Sequence, residues 1–199
     1  QIAILDFGSQ YSHLIARRVR QLNVFCELYS CMVKADSLRA NNIVGIIFSG
    51  GPSSVYDPSS PHVSPDVWDF INEKKLPVLG ICYGMQLIVH QLGGKVEISK
   101  QREFGKTLIT HKNKSKLFHG LKLKNKQHFV WMSHGDKAIK LPKHFKTIAT
   151  SKNSKFVGIE NKDLNIYGLQ FHPEVVHTIQ GEKILNNFII HICKTKPTW

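Results

Sequence analysis

Three residues in this sequence carry the side chains of a nucleophile, a base and an orienting carboxylate: Cys82, His172 and Glu174. Cys82 is central in the segment 80–84 (Gly-Ile-Cys-Tyr-Gly), where an apolar run gives way to a helical pattern. A tight turn between strand and helix strains its central residue and exposes that side chain at the sheet edge. The N–H groups of the following helix favour the thiolate over the thiol. This segment therefore predicts a thiol nucleophile.

His172 and Glu174 follow an apolar segment, 166–171, which the sequence predicts as a buried strand. Residues two apart in an extended chain point to the same side. We therefore expect His172 to face the thiol while Glu174 fixes the tautomer of its imidazole. Taken alone, a cysteine or a histidine is more often a buried core residue. Together, the two contexts favour a catalytic pair.

A glycine-rich segment, 49–54 (Ser-Gly-Gly-Pro-Ser-Ser), follows another predicted strand and opens onto the same edge. Its glycines leave backbone N–H groups accessible. The amide of Gly51, together with that of Tyr83 just after the nucleophile, is predicted to form an oxyanion hole. The alternative is an ordinary Gly-Pro turn. A phosphate-binding loop is disfavoured because the segment lacks a Gly-Lys-Ser/Thr ending.

The elements that position these residues change character along the chain. In the first half, strands at 2–7, 24–29, 44–48 and 77–81 alternate with helices at 11–22, 36–41, 66–74 and 85–92. In the second half, the predicted strands are 96–98, 106–110, 129–132, 147–150, 156–160 and 166–171. A loop is predicted at 111–127. We therefore predict an α/β fold whose mixed, mainly parallel central sheet has helices on both faces and an antiparallel extension.

Composition restricts the class of protein. The chain has 199 residues, 42% of them hydrophobic, which is enough for one domain with a full core. It has neither an apolar run of about 20 residues nor a secretory signal pattern, so we predict a cytosolic protein with no membrane partner. Its four cysteines are scattered and have no metal-ligand spacing, so we expect reduced thiols and no metal site.

The formal net charge of +13 raises the alternative of a nucleic-acid-binding module. The lysines cluster between residues 106 and 146 without interleaved aromatic side chains, and no nucleic-acid recognition motif is present. We therefore expect no nucleic-acid partner. A solvated lysine-rich surface and a basic face that docks an acidic partner domain both remain open.

Several segments together resemble the class I, or triad-type, glutamine amidotransferases: 80–86, 49–52 and 171–174 (Phe-His-Pro-Glu). Segments 6–11 (Asp-Phe-Gly-Ser-Gln-Tyr), 102–105 (Arg-Glu-Phe-Gly) and 131–136 (Trp-Met-Ser-His-Gly-Asp) are similar, within that family, to the glutaminase domains of GMP synthetases. The resemblance spans nearly the whole chain. It implies a flavodoxin-like sheet and a triad of Cys82, His172 and Glu174.

The resemblance also implies a reaction and a partner. Glutamine would be hydrolysed to glutamate and ammonia, and ammonia would pass to an ATP-dependent domain that converts xanthosine monophosphate (XMP) to GMP. Residues 1–199 would then be the glutaminase domain of a longer chain with a C-terminal ATP pyrophosphatase domain. This domain would need no cofactor, and ATP and magnesium would bind to the partner domain. Both a monomer and a homodimer of the full-length enzyme remain open.

Residues that hold the substrate are also implied by the resemblance. The amino-acid end of glutamine would be held by Gln86 and by Ser133, His134, Gly135 and Asp136, with the Asp136 carboxylate facing the ammonium group. Asp6, Ser9 and Gln10 are assigned to structure or domain docking. The segment 102–105 is assigned to an interface or to loop positioning.

Two rival functions share parts of this pattern. One is a glutaminase that serves another acceptor, such as carbamoyl phosphate or anthranilate synthesis. The other is a cysteine hydrolase or redox protein on the same sheet, since fold alone does not fix function. Labelling of Cys82 by an electrophilic glutamine analogue would favour a glutaminase over the second rival.

Overall fold

A nine-stranded mixed sheet forms the centre of the molecule, and the computed structural model describes all 199 residues. In chain order, β1 to β9 are Ile2–Asp6, Cys26–Ser30, Gly45–Phe48, Val78–Ile81, Lys95–His111, Gln127–Lys140, Lys146–Ser151, Ser154–Asn161 and Ile166–Leu169. Their order across the sheet is β2-β1-β3-β4-β9-β8-β7-β5-β6. The first five strands in this order, β2, β1, β3, β4 and β9, pair in parallel. The pairs β9–β8, β8–β7, β7–β5 and β5–β6 are antiparallel. The predicted fold class is thus confirmed.

Helices cover both faces of the sheet. Helices α1 to α5 are Ser12–Gln21, Ala35–Arg39, Pro65–Lys74, Tyr83–Gln91 and Gly181–Asn186; α5 continues as a π-helix, Asn187–Ile192, and a 3₁₀ turn spans Lys116–Phe118. Apolar residues of α1, α5 and the π-helix pack with sheet residues in a core of 28 buried residues on one face. Those of α2, α3 and α4 pack with sheet residues in a core of 25 on the other. None of the helices is long and apolar enough to cross a membrane.

The antiparallel half differs in detail from the sequence prediction. The two strands predicted at 96–98 and 106–110 are parts of one strand, β5, which pairs with β6 along most of its length. The register shifts between Ile98 and Glu103, which explains why the pattern looks interrupted in the sequence. The segment 102–105 therefore lies in a strand. The segment 133–136, which the resemblance assigns to substrate binding, lies in β6.

Close packing of α4 on the sheet depends on Gly84. A Cβ atom at this position would press into the backbone carbonyl of Phe48 in β3, closer than van der Waals contact allows. We expect Gly84→Ala to lower the free energy of unfolding by about 1–3 kcal/mol, because α4 must move away from β3. Denaturant unfolding checks this, and a change below about 0.5 kcal/mol would contradict the packing described here.

Candidate active site

The thiol of Cys82 lies at the junction between β4 and α4. Its backbone has φ 55° and ψ −108°, a strained conformation for a residue with a side chain. The amide of Cys82 donates a 2.7 Å hydrogen bond to the carbonyl of Leu169 at the end of β9, which holds the turn in place. The sulfur contacts the Ser133 carbonyl at 3.5 Å and the Gln170 amide nitrogen at 3.6 Å. The strained turn predicted from the sequence is present.

His172 and Glu174 lie together at the same edge, but in a turn. Strand β9 ends at Leu169, so the prediction of an extended segment reaching residue 171 was wrong. The chain turns after His172, and the Val175 amide donates to the His172 carbonyl at 3.4 Å. Nδ1 of His172 and Oε2 of Glu174 are 3.3 Å apart, and both side chains are buried. The turn, rather than strand alternation, brings the carboxylate to the imidazole.

Neighbouring elements fix the imidazole from several sides. The amide of His172 donates to the Trp131 carbonyl at 3.0 Å, and the Thr178 hydroxyl donates to the His172 carbonyl at 2.6 Å. The ring of Tyr11 meets the His172 ring edge-on, with centroids 5.2 Å apart. Sequence analysis missed both residues: the contact of Tyr11 with His172 joins distant segments, and Thr178 reaches His172 only because the chain turns between them. The ring position is therefore set together by β6, by Tyr11 just before α1 and by the turn.

The sulfur and the imidazole are neighbours. A Cβ atom placed on Gly50 would lie 3.2 Å from Cε1 of His172 and 3.5 Å from Cβ of Cys82. Burial lowers the pKa of His172, but the Glu174 carboxylate and a hydrogen bond with the Cys82 thiol outweigh it and raise that pKa well above its ordinary value. The site therefore favours an imidazolium, which can stabilise a thiolate beside it.

The two amides predicted to form an oxyanion hole have no acceptor within the protein. Tyr83 is the first residue of α4, and neither its amide nor that of Gly51 donates a hydrogen bond. A Cβ atom on Gly51 would press into the carbonyl of Phe7, so only glycine fits there. The Phe7 amide donates to the Ser49 hydroxyl at 2.9 Å, which ties this loop to the end of β1. Both donors are free to bind a developing negative charge.

A cavity of about 450 Å³ opens beside the thiol. Its lining includes the residues predicted to hold substrate, together with the nucleophile and one oxyanion donor: Gly51, Cys82, Gln86, Ser133, His134, Gly135 and Asp136. It also includes residues that sequence analysis did not assign to the site: Pro52, Ser53, Ser54, Tyr56, Ile98, Arg102 and Phe104. The structure thus gathers around one space every residue predicted to hold the amino-acid end of glutamine.

The Asp136 carboxylate is held in position by two hydroxyl groups. The Ser54 hydroxyl donates to it at 2.7 Å and the Tyr56 hydroxyl at 3.0 Å. The side-chain amide of Gln86 donates to the backbone carbonyl of Asp136 and to Oε1 of Gln170, both at 3.2 Å. Sequence analysis missed Ser54 and Tyr56, although Ser54 ends the glycine-rich segment and Tyr56 closely follows it. They fix an anionic group on the cavity wall.

His134 and Glu103 form a buried pair behind the cavity. Nε2 of His134 is 3.1 Å from Oε1 of Glu103, and Nδ1 of His134 is 2.6 Å from the Asp136 carbonyl. The Ser151 hydroxyl donates to the same carboxylate at 2.9 Å. Both ring nitrogens of His134 are therefore engaged by the protein. Its imidazole supports the Ser133–Asp136 backbone, and Glu103 joins that support to β7.

Of the two roles open for Asp6 and Ser9, structure or domain docking, their contacts within the protein favour the structural one. The Asp6 carboxylate accepts hydrogen bonds from the Gly8 amide at 2.9 Å and the Ser12 hydroxyl at 2.8 Å. The Ser9 hydroxyl accepts one from the Tyr11 amide at 2.9 Å. These bonds close the turn between β1 and α1, while Gln10 is exposed.

A half-buried histidine, His111, and a buried one, His128, lie beside the turn that carries His172. The Nε2 atoms of His111 and His128 are 2.8 Å apart, and Nδ1 of His128 is 2.7 Å from the Ile179 carbonyl. Since a carbonyl only accepts, Nδ1 of His128 carries a proton, and a neutral His128 then accepts from His111. Burial lowers the pKa of His111 to about 4, helped by His128, and burial also lowers the pKa of His128.

This pair predicts a loss of stability in acid. Between the ordinary pKa of 6.5 and the folded value of about 4 for His111, the unfolded chain binds more protons than the folded one. Stability is therefore fully present above about pH 6.5 and falls as the pH drops toward about 4. Denaturant midpoints measured from about pH 7 to pH 5 should fall. His111→Gln should flatten this profile and His13→Gln should leave it unchanged; an equal slope in all proteins would contradict the assignment.

No group of three or more histidine, cysteine, aspartate or glutamate side chains is placed to hold a metal ion. The four cysteines are all free thiols. Among them, Cys82 is the one that lines the cavity described above.

Comparison with known proteins points to one family. The family model "Glutamine amidotransferase class-I" matches residues 3–192. Proteins named GMP synthase [glutamine-hydrolyzing] match all of this chain, with 46% identity in Gloeothece citriformis, 47% in Lactococcus lactis subsp. lactis and 48% in Clostridium kluyveri. The chain covers 35%, 37% and 38% of those three proteins. It therefore spans little more than a third of the length of these curated relatives.

Solved structures show the same fold. A Thermoplasma acidophilum protein, provisionally assigned as one component of a GMP synthase, has a TM-score of 0.82 and 33% identity, covering 97% of this chain and 93% of that one. A glutamine amidotransferase from Thermotoga maritima has a TM-score of 0.67 and 20% identity, covering 98% of this chain and 86% of that one. The first of these is a separate chain of nearly the same extent, and the second supports the fold alone.

Proposed function

Because this chain belongs to the class I glutamine amidotransferase family, we propose that it hydrolyses L-glutamine to glutamate and ammonia through a thioester on Cys82. The observation that carries this proposal is a single cavity joining the Cys82 thiol to the fixed carboxylate of Asp136. The thiol is a nucleophile able to attack an amide carbon, and Asp136 complements the ammonium group of an amino acid.

The first half of the reaction follows from the geometry. The Cys82 thiolate attacks the side-chain amide carbon of glutamine, and the carbonyl electrons move to its oxygen. The amides of Gly51 and Tyr83 stabilise that oxyanion. When the tetrahedral intermediate collapses, the carbon–nitrogen bond breaks and His172 protonates the departing nitrogen. Ammonia leaves and a glutamyl thioester remains on the enzyme.

The second half returns the enzyme to its starting state. The imidazole of His172, now neutral, takes a proton from water as the water attacks the thioester. A second oxyanion forms in the same hole and collapses, expelling the thiolate and releasing glutamate. The Glu174 carboxylate holds the ring in one orientation and stabilises its charged form in both halves.

Both ends of the amino-acid group have complementary partners in the cavity. Asp136 supplies a carboxylate for the ammonium group, held by Ser54 and Tyr56. Arg102 supplies a guanidinium on the same lining, and we assign it to the glutamine carboxylate. Gln86 holds the backbone of Asp136 and thereby positions the carboxylate.

The Asp136 assignment predicts a specific kinetic change. Asp136→Asn should lower kcat/KM for glutamine by about 10- to 100-fold, because a charge-assisted hydrogen bond to the ammonium group is lost. Steady-state ammonia release measures the effect. Asp163→Asn, at an exposed position outside the cavity, is the matched control. If the two variants have the same kcat/KM, Asp136 does not bind the substrate.

We further propose that the ammonia serves GMP synthesis. The relatives that match the whole chain are named GMP synthase [glutamine-hydrolyzing], and their additional length leaves room for a synthetase domain. That domain would use ATP and magnesium to convert XMP to GMP, while the domain described here would need no cofactor. These names favour GMP synthesis over carbamoyl phosphate or anthranilate synthesis as the destination of the ammonia.

The test is to measure ammonia release from glutamine by this chain alone and by the full-length protein supplied with ATP, magnesium and XMP. We expect slow release by the chain alone and faster release by the full-length protein, because nucleotide binding would favour the active state of the glutaminase. The absence of ammonia under both conditions would contradict glutaminase activity. Release that is already maximal without the nucleotides would contradict the coupling.

A further inference from the structure

A second cavity, of about 480 Å³, lies at the opposite edge of the sheet from Cys82. Strand β9 begins at Ile166, which pairs with Val78 at the start of β4, whereas Cys82 follows the end of β4. Tyr167 lies near that beginning and lines the cavity. The full lining is Lys114, Ser115, Lys116, His119, Glu160, Lys162, Tyr167, Asn187, His191 and Ile192. None of these residues belongs to the catalytic cavity.

The inner wall of this second cavity includes a carboxylate that the protein leaves poorly satisfied. The side chain of Glu160 is 2% exposed, and its nearest cation, Nζ of Lys146, is 3.7 Å from Oε2. No side-chain or backbone group donates a hydrogen bond to this carboxylate. Burying a carboxylate whose ion-pair partner is 3.7 Å away costs free energy, and hydrogen-bond donors on a ligand would offset that cost.

Asn187 adds a second unsatisfied acceptor. Its amide nitrogen donates to the carbonyls of Leu117 at 2.9 Å and His119 at 2.8 Å, so the orientation of the amide is fixed by its partners. The oxygen of that amide is buried and has no hydrogen-bond partner. Two acceptors without donors thus lie at the base of one cavity.

The outer wall is cationic. Lys114, Lys116 and Lys162 line the cavity and are exposed, and none of them forms an ion pair with a carboxylate. His119 and His191 lie on the same wall. Glu160 is the single acidic residue in the lining, so the cavity carries a net positive charge at its mouth. Such a mouth attracts a phosphate or another compact anion.

From these two walls we propose that the second cavity binds a phosphate monoester whose other end donates hydrogen bonds to Glu160. The phosphate would contact the lysines at the mouth, and the donors would reach the carboxylate within. A guanine nucleotide has this chemistry, because the N1–H and N2–H groups of guanine present two parallel donors to a carboxylate. The cavity volume lies in the range of about 300–1,000 Å³ typical of small-molecule sites.

Binding can be measured separately from glutaminase activity, because the two cavities share no residue. Isothermal titration calorimetry with this chain and with its Cys82→Ala variant should give the same dissociation constant for GMP. The Thermoplasma acidophilum relative, a separate chain of nearly the same extent, supports the use of the chain by itself. Failure of the glutaminase proposal would therefore leave this test intact.

Three ligands separate the contributions of the two walls. GMP should bind most tightly, because it has both the phosphate and the donors. XMP should bind at least about tenfold more weakly, because a carbonyl oxygen replaces the amino group and faces the carboxylate. Inorganic phosphate should bind more weakly than GMP, because it reaches only the lysines. This comparison needs no mutation, so it does not depend on how a variant folds.

Variants then locate the site. Lys114→Ala combined with Lys116→Ala should weaken GMP binding by about tenfold or more, and Lys100→Ala combined with Lys143→Ala, at exposed lysines outside the cavity, should not change it. The proposal is overturned if GMP fails to bind at millimolar concentration or binds the two double variants equally. It is likewise overturned if inorganic phosphate or XMP binds as tightly as GMP.

Discussion

Cys82→Ala is expected to lower the rate of ammonia release from glutamine by at least about 10³-fold, because no other group can form the thioester. The sulfur lines the catalytic cavity and lies beside the imidazole of His172. The oxyanion donors would still stabilise the intermediate formed by direct attack of water on the amide, which sets the residual rate. Coupled measurement of ammonia and glutamate in single turnovers detects this change.

Cys31→Ala is the matched control. Cys31 is a partly exposed free thiol outside the catalytic cavity, so its removal should leave the rate unchanged. Glutamine binding to Cys82→Ala should also persist, since Asp136 and Arg102 are untouched. Hydrolysis by Cys82→Ala at a rate near that of the unmodified protein would contradict the assignment of the nucleophile.

Glu174→Gln is expected to lower kcat by about 10²- to 10⁴-fold while leaving the fold intact. The Glu174 carboxylate lies 3.3 Å from Nδ1 of His172 and is fully buried, so its charge acts on the ring without screening by water. A neutral amide of the same shape would neither stabilise the imidazolium nor fix its tautomer. Burial would then dominate, and the pKa of His172 should fall.

Nuclear magnetic resonance titration of the His172 ring measures that fall directly, and steady-state kinetics measure kcat. Glu182→Gln is the control, because this exposed carboxylate pairs with Arg18 and does not contact the imidazole. A Glu174→Gln protein whose His172 keeps its raised pKa would show that the carboxylate is not its cause. An unchanged kcat would show that Glu174 has no part in orienting the base.

Local patterns in the sequence predict much of this fold. Strands β1, β3 and β4 are short, wholly or almost wholly apolar, and each is followed by a loop or helix with its own signal. The turn at Cys82 is equally local, since Gly80 and Gly84 flank the residue that they expose. These features depend on residues that are close together in the chain, so the local sequence is enough to predict them.

Features that depend on distant partners could not be predicted in this way. Strand β5 was divided into two because its pairing with β6 shifts register, and the exposed face of such a strand has no clean alternation. The bonds from Ser54 and Tyr56 to Asp136 cross about 80 residues of sequence. The contact of Glu103 with His134 likewise depends on the β5–β6 register.

The arrangement of the lysines between residues 106 and 146 could not be predicted for the same reason. The composition of this segment indicates a charged surface but does not tell which lysines lie together. In the structure, Lys114 and Lys116 meet Lys162 from another turn, with Glu160 behind them. The 3₁₀ turn, the π-helix and the turn after β8 must pack together before these side chains share one cavity.

The central claim is that the Cys82 thiol and the Asp136 carboxylate belong to one glutamine site. Mass spectrometry after treatment with an electrophilic glutamine analogue tests it most directly. We expect one adduct, on Cys82, whose formation is slowed by glutamine and by Asp136→Asn. Labelling of Cys31, Cys26 or Cys193 instead, or labelling of Cys82 that neither glutamine nor the Asp136 substitution affects, would contradict the claim.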